Sequence, residues 1–349
     1  MQRIIRIITG ITLLLGLTIA LLASRTGSPA PKEHLSEYGF FSGNMADQTP
    51  VSGIMPYQLN TPLFSDYAEK LRFIQLPPDS VITYDSVNVM HFPVGATLIK
   101  TFYYPKDFRA PEKGRRLMET RLLTHTAEGW KALVYIWNDE QTEATLEVAG
   151  DRKPVQFIDH HGRTVSFDYI VPNLNQCKGC HNTNEVMTPI GPTARQMNGD
   201  FHYAGGTENQ LQHWIKAGIL SGLDDVAHAP RAPVWNDPTT GSLEARARTW
   251  LEINCAHCHK PDGPGKTSGL FLLASEKDPT KIGINKPPVA AGRGAADLQF
   301  DIVPGHPEKS ILIYRMASTD PGIMMPELSR KLTHKEGVEL VREWIRSMK

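Results

Sequence analysis

The chain has 349 residues, enough for two or three domains and a substantial core. Its 37 lysines and arginines balance 37 aspartates and glutamates, so no global field directs it toward nucleic acid or an acidic membrane surface. The 26 prolines and 28 glycines fit a loop-rich protein, and all four cysteines fall in two five-residue segments.

Residues 1–24 read as a targeting segment rather than part of the fold. Arg3 and Arg6 form a positive end, and Ile7 to Ala23 is uncharged and mostly aliphatic. Neither Ala23-Ser24 nor Ser28-Pro29-Ala30, which is followed by Pro31, makes a good cleavage site. A cleaved signal peptide is the first reading and an uncleaved N-terminal membrane anchor the second, since the apolar run is near the lower limit for a span. Both place the body in the periplasm, beyond the inner membrane. Removing Arg3 and Arg6 leaves 35 basic against 37 acidic residues, a net charge of −2. Residues 25–56 read as an extended, Pro/Gly/Ser-rich lead-in.

Residues 57–205 read as a β-rich domain. Thr97 to Tyr104 is rich in β-branched and aromatic residues, and Val165, Phe167, Tyr169 and Val171 alternate with polar neighbours. Arg121 to Thr124, a turn near Glu128-Gly129, and Ala132 to Trp137 predict a hairpin. Several short strands at this spacing predict an all-β sandwich or barrel-like domain. His160-His161 beside Gly162 is better explained as a polar hairpin turn than as a metal site.

The last strand leads into Cys177-Lys178-Gly179-Cys180-His181. This is C-x-x-C-H, the attachment signal for a c-type haem. Two thiols three positions apart on a helical turn can each form a thioether to a vinyl group on one porphyrin edge. The histidine that follows supplies an imidazole to the iron. A zinc ribbon is the main competing explanation, but its knuckles lie about 15–20 residues apart. Here the second pentad, Cys255-Ala256-His257-Cys258-His259, lies far downstream. The expected cofactors are therefore two covalently attached haems, with His181 and His259 as iron ligands. The sixth ligand of the first haem stays open among Met187, Met197, His202, His213 and no ligand at all.

Residues 206–241 comprise a helix, with a capping box at Thr207 to Gln210 and a stop at Gly222, followed by a Pro-rich linker. In 242–349, Ser242 opens a helix that runs into Cys255, and Thr333 to Glu336 reads as a capping box for a closing helix. Gly322-Ile323-Met324-Met325-Pro326 precedes that helix. A thioether from Met325, favoured over Met324 because it directly precedes the proline, would be the sixth ligand of the second haem.

Residues 243–349 resemble a class I cytochrome c domain, which implies an all-α fold there. The whole would then be an α+β multidomain protein. Ile302 to Leu312 resembles a segment of planctomycete-type cytochromes. From about Tyr57 onward the chain resembles a family of poorly characterised bacterial di-haem c-type cytochromes. The matching blocks are Asn60 to Tyr67, Phe92 to Gly95, Trp137 to Thr142, Ile190 to Pro192 and Lys286 to Gly294. The resemblance implies two haems and export but no reaction. The genes of that family lie beside one for a parallel β-helix protein, which suggests a neighbour by association. Phe92 to Trp137 with the haem that follows is loosely similar to the lysine-cross-linked cytochromes that oxidise hydroxylamine, though no cross-linking lysine can be assigned.

Electron transfer to a redox partner protein is the leading functional expectation. A haem enzyme, peroxidase-like or acting on a small nitrogen compound at an open first haem, is the alternative, and a binding module is the third. No nucleophile elbow, phosphate loop or H-E-x-x-H is present in the sequence. In di-haem peroxidases the first pentad lies near the mature N-terminus, not after a long β segment, which weighs against that alternative.

Overall fold

The architecture rests on a six-stranded antiparallel meander: Ile54–Pro56 (β1), Glu69–Gln75 (β2), Thr97–Pro105 (β3), Arg115–Thr126 (β4), Gly129–Trp137 (β5) and Ala144–Leu146 (β6). The computed structural model describes residues 30–349 except Ala290 and Ser329, so the targeting segment expected at residues 1–24 lies outside the described residues. Glu33–Lys349 forms one compact unit. Among the described residues no helix is long and apolar enough to cross a membrane.

The predicted hairpin forms with Thr126 opposite Gly129, whose φ of 110° is open to glycine at little cost. Side chains alternate across the sheet. One face buries Phe73, Ile99, Leu122 and Tyr135 against Leu35, Phe40 and Phe41. The segment that reads as an extended lead-in is thus folded against the sheet and fills this face. On the other face Ile74, Leu98 and Leu123 meet Leu211 and Trp214. Further along, Phe102, Tyr104 and Val134 meet a two-stranded ribbon, Asp151–Ile158 (β7) with Thr164–Val171 (β8), and Tyr104 stacks on Phe157 at 5.1 Å.

The described helices are short. Leu174–Cys180 (α1) starts at Asn173, whose side chain accepts from Gln176 N while Gln176 caps in return. Gln210–Lys216 (α2) is capped by Asn209 rather than by the expected Thr207 box, and ends at Gly218, φ 71°, before the expected stop at Gly222. Leu243–Leu251 (α3) is capped by Ser242, as the sequence predicts. Ile311–Ala317 (α4) and Lys335–Ser347 (α5) complete the set apart from single turns. The Thr333 box does not form; His334 occupies the cap position without a capping bond, its ring engaged elsewhere.

The expected α+β multidomain plan with a C-terminal all-α cytochrome c-like domain is not what the chain forms. The protein is mostly β-strands in sheets, and its C-terminal part is low in helix. Glycines and prolines explain this. Gly263, Pro264, Gly265, Gly269, Pro279, Gly283, Pro287, Pro288, Gly292, Pro304, Gly305 and Pro307 interrupt the segment, and the chain between α3 and α4 runs as loops and single turns. The β part is an open sheet with a ribbon on one face, not a closed barrel. The C-terminal segment is also bonded into it. The buried Asp66 carboxylate accepts from Lys331 N and Leu332 N at 2.7–2.8 Å, and Phe64 stacks on His334 at 4.4 Å.

Candidate functional site: two pentads in contact

Both pentads sit at the end of a helix and close the same way. His181 N donates to Cys177 O at 2.9 Å, and His259 N donates to Cys255 O at 2.9 Å. The second begins within a widened, π-type turn over Glu252–Ala256, a local irregularity common at functional sites. The loop after it crosses directly over the Cys258 carbonyl. A Cβ at Gly263 would fall 2.4 Å from that oxygen, so only glycine fits there.

Although their first cysteines, Cys177 and Cys255, are 78 positions apart in sequence, the pentad segments touch. The Cys180 and Cys258 thiols lie near each other, and Cys180 also meets His257. Lys260 Nζ donates to Thr183 Oγ1 at 2.8 Å, and Asn184 N donates to Asp262 O at 2.8 Å. Cavities of about 170 Å³ and about 640 Å³ adjoin this contact. Cys180, His257, Pro189, Ile190 and Ile253 line both. All four cysteines are free of disulfides.

The electrostatics follow from burial. The Cys255 thiol is pushed up to about 12 by burial, and Cys177 is raised for the same reason. Cys180 and Cys258 titrate as a pair, and their proximity favours loss of one proton and disfavours loss of the second. Burial lowers His181 to about 3, with help from the nearby Lys100 charge, and lowers His259 to about 4. Both imidazoles are therefore neutral at pH 7, the form that binds metal.

The ring nitrogens are oriented for that role. His181 Nδ1 bonds Thr188 O at 3.0 Å and His259 Nδ1 bonds Ser268 Oγ at 3.2 Å. Among the described residues, the hydrogen bonds of these two rings are made by Nδ1. A second-sphere bond to Nδ1 is what fixes the tautomer of a metal-binding histidine.

Cys177, Cys180, His181, Cys255 and Met325 all line the smaller cavity, whereas Cys258 and His259 line neither. Met324 is buried away from both, which separates the two methionines the sequence could not. The Met325 loop is held by Arg330, only 5% exposed, whose guanidinium donates to the carbonyls of Arg315, Ser318, Met325, Pro326 and Leu332 at 2.7–3.3 Å. Met187, Met197, His202 and His213 line neither cavity. Met197 is core, and His213 stacks on Tyr203 at 3.7 Å and bonds Glu208.

Sequence reading missed His257. It lies inside the second pentad, where it reads as a spacer, yet its Nδ1 is buried without a hydrogen-bond partner and it faces the first pentad. Only the juxtaposition of the pentads gives it a role. Comparison with protein-family models, curated proteins and solved structures finds no match. The free thiols Cys177 and Cys180, the neutral His181 and the Met325 thioether at one cavity are the donor types that a covalently held haem uses, whereas Cys258 and His259 line no cavity.

Proposed function

We propose that the chain is an exported, periplasmic di-haem c-type cytochrome of the family it resembles, passing electrons between its haems and a redox partner protein. Haem, when bound, supplies one-electron oxidation and reduction at iron. Cys177 and Cys180 would hold one haem with His181 as ligand, and Cys255 and Cys258 the other with His259. The single observation that carries the reading is the contact between the two pentad segments, where Lys260 Nζ donates to Thr183 Oγ1 and Asn184 N donates to Asp262 O. It brings the two attachment points together, so groups fixed there lie within easy electron-tunnelling range.

The residues around the pentads serve the same end. Thr188 and Ser268 hold the imidazole tautomers, and Arg330 keeps Met325 at the cavity. A haem enzyme remains the second reading, favoured by one observation: none of the four sequence-nominated sixth ligands of the first haem reaches a cavity.

The deciding experiment is to purify the exported protein, count haems by pyridine haemochrome, and record electron paramagnetic resonance with and without carbon monoxide. Two haems per chain with magnetically interacting signals are expected. Fewer than two, or two signals with no interaction, refutes the reading. Carbon monoxide binding at one reduced haem moves the assignment to the enzyme.

A further inference from the structure

We propose that Arg72, Lys100 and Arg121 form an anion site in the wall of the smaller cavity, built to take a carboxylate or similar oxyanion. The three residues are direct cross-strand neighbours on β2, β3 and β4: Arg72 pairs with Lys100, and Lys100 with Arg121. They share one face of the sheet, and all three line the cavity that Cys177, Cys180 and His181 also line. Above this row lies the apolar row Ile74, Leu98, Leu123, and below it Lys70, Phe102, Glu119.

Like charges set directly opposite in a sheet repel, and burial strengthens the repulsion. Arg72 is only 7% exposed, and its guanidinium makes no hydrogen bond or ion pair among the described residues. The Lys100 ammonium rests 4.7 Å from the Phe102 ring centroid with no carboxylate bound to it. Glu119 is the one acid in these rows, and it is already engaged: Arg121 donates to both its oxygens at 2.6 and 2.8 Å, and Tyr169 donates its hydroxyl at 2.5 Å. Burial and the flanking arginines make Lys100 give up its proton more easily, the direction expected of a cation that lacks a counter-ion. Buried charges are ordinarily paired. A cavity wall with two unpaired cations beside a third already paired with Glu119 is complementary to an anion with two or more oxygens, for which arginine offers a bidentate fork.

Two sources carry that chemistry: the two carboxylates of a haem held at Cys177 and Cys180, or a small free oxyanion. Only the first rests on the function proposed above. The test uses the full-length protein carrying its haems, with acetate and inorganic phosphate as probes at fixed ionic strength, in wild type, Arg72→Gln, Lys100→Gln and Arg72→Lys. A saturable rise in thermal midpoint, weakened tenfold or more in both glutamine variants and retained in Arg72→Lys, supports a free-oxyanion site. No response to the probes, with a lowered potential at one haem in both glutamine variants but not in Arg72→Lys, supports occupation by the haem carboxylates. Overturning results are a probe response equal in all four proteins, or no response together with unchanged potential and haem content. If the preparation contains no haem, the electron-transfer reading falls, while the anion titration still decides this one. Should Arg72→Gln fail to fold, Lys100→Gln alone carries the comparison.

Discussion

Met325 and Met324 are adjacent and chemically identical, and only their surroundings separate them. Met325 faces the cavity under the Arg330 cage, and Met324 packs away from it. Met325→Ala should therefore lower the potential of one haem and abolish any sulfur-to-iron band of the oxidised spectrum, while Met324→Ala should leave both unchanged. The opposite pattern in the two spectra would reassign the loop. His334 gives a prediction in pH. Trp250 Nε1 donates to its Nδ1 at 3.0 Å, and burial lowers it to about 4. The unfolded chain takes up this proton near pH 6.5, the folded chain only near 4, so stability falls as pH drops between those values. The contribution is at most about 3 kcal/mol, about 1.4 kcal/mol per pH unit. His334→Gln keeps an acceptor for Trp250 and removes the titration, so urea midpoints at pH 7 and pH 4.5 should lie closer together than in wild type. At this scale the sequence was legible wherever chemistry is local. Each pentad names its own thiols and histidine, but His257 and Arg330 carry no local signal, because their partners lie across the fold.

Helix α5 crosses α3 where Gly337 meets Trp250. A Cβ at Gly337 would fall 2.4 Å from the indole. The indole is rigid and bonded to His334, so it cannot yield. Gly337→Val should cost about 1–3 kcal/mol by overpacking, more than the few tenths it gains in helix propensity. Chemical denaturation measures this, and an unchanged midpoint would mean that the helices separate without penalty. The crossing of these two helices is what made 243–349 resemble an all-α domain. The helical periodicity of both ends was readable, as was the β4–β5 hairpin. The intervening glycines and prolines were readable too, but the resemblance outweighed them. Strand register was beyond reach of periodicity: alternation assigns Arg72, Lys100 and Arg121 to faces, whereas only pairing sets them abreast.

Across the whole molecule, the β sheet and the C-terminal segment share their interior. Asp66, 2% exposed, joins the turn before β2 to the backbone just before α5, and Tyr67 donates to Glu336 at 2.8 Å. Leu35, Phe40 and Phe41 seal the opposite face of the sheet, although composition presents their segment as a lead-in. Such long-range closure is invisible in a single sequence, since a Pro/Gly-rich stretch reads alike whether it packs or not. The meeting of Cys180 with Cys258 sets a rule for biogenesis. Neighbouring free thiols are open to joining by an oxidant. On the function proposed above, a chain that folded before its haems arrived would risk a single bond that removes one attachment thiol from each pentad. On the function proposed above, assembly would run in one order, with haem ligated on the extended chain and the fold closing afterwards.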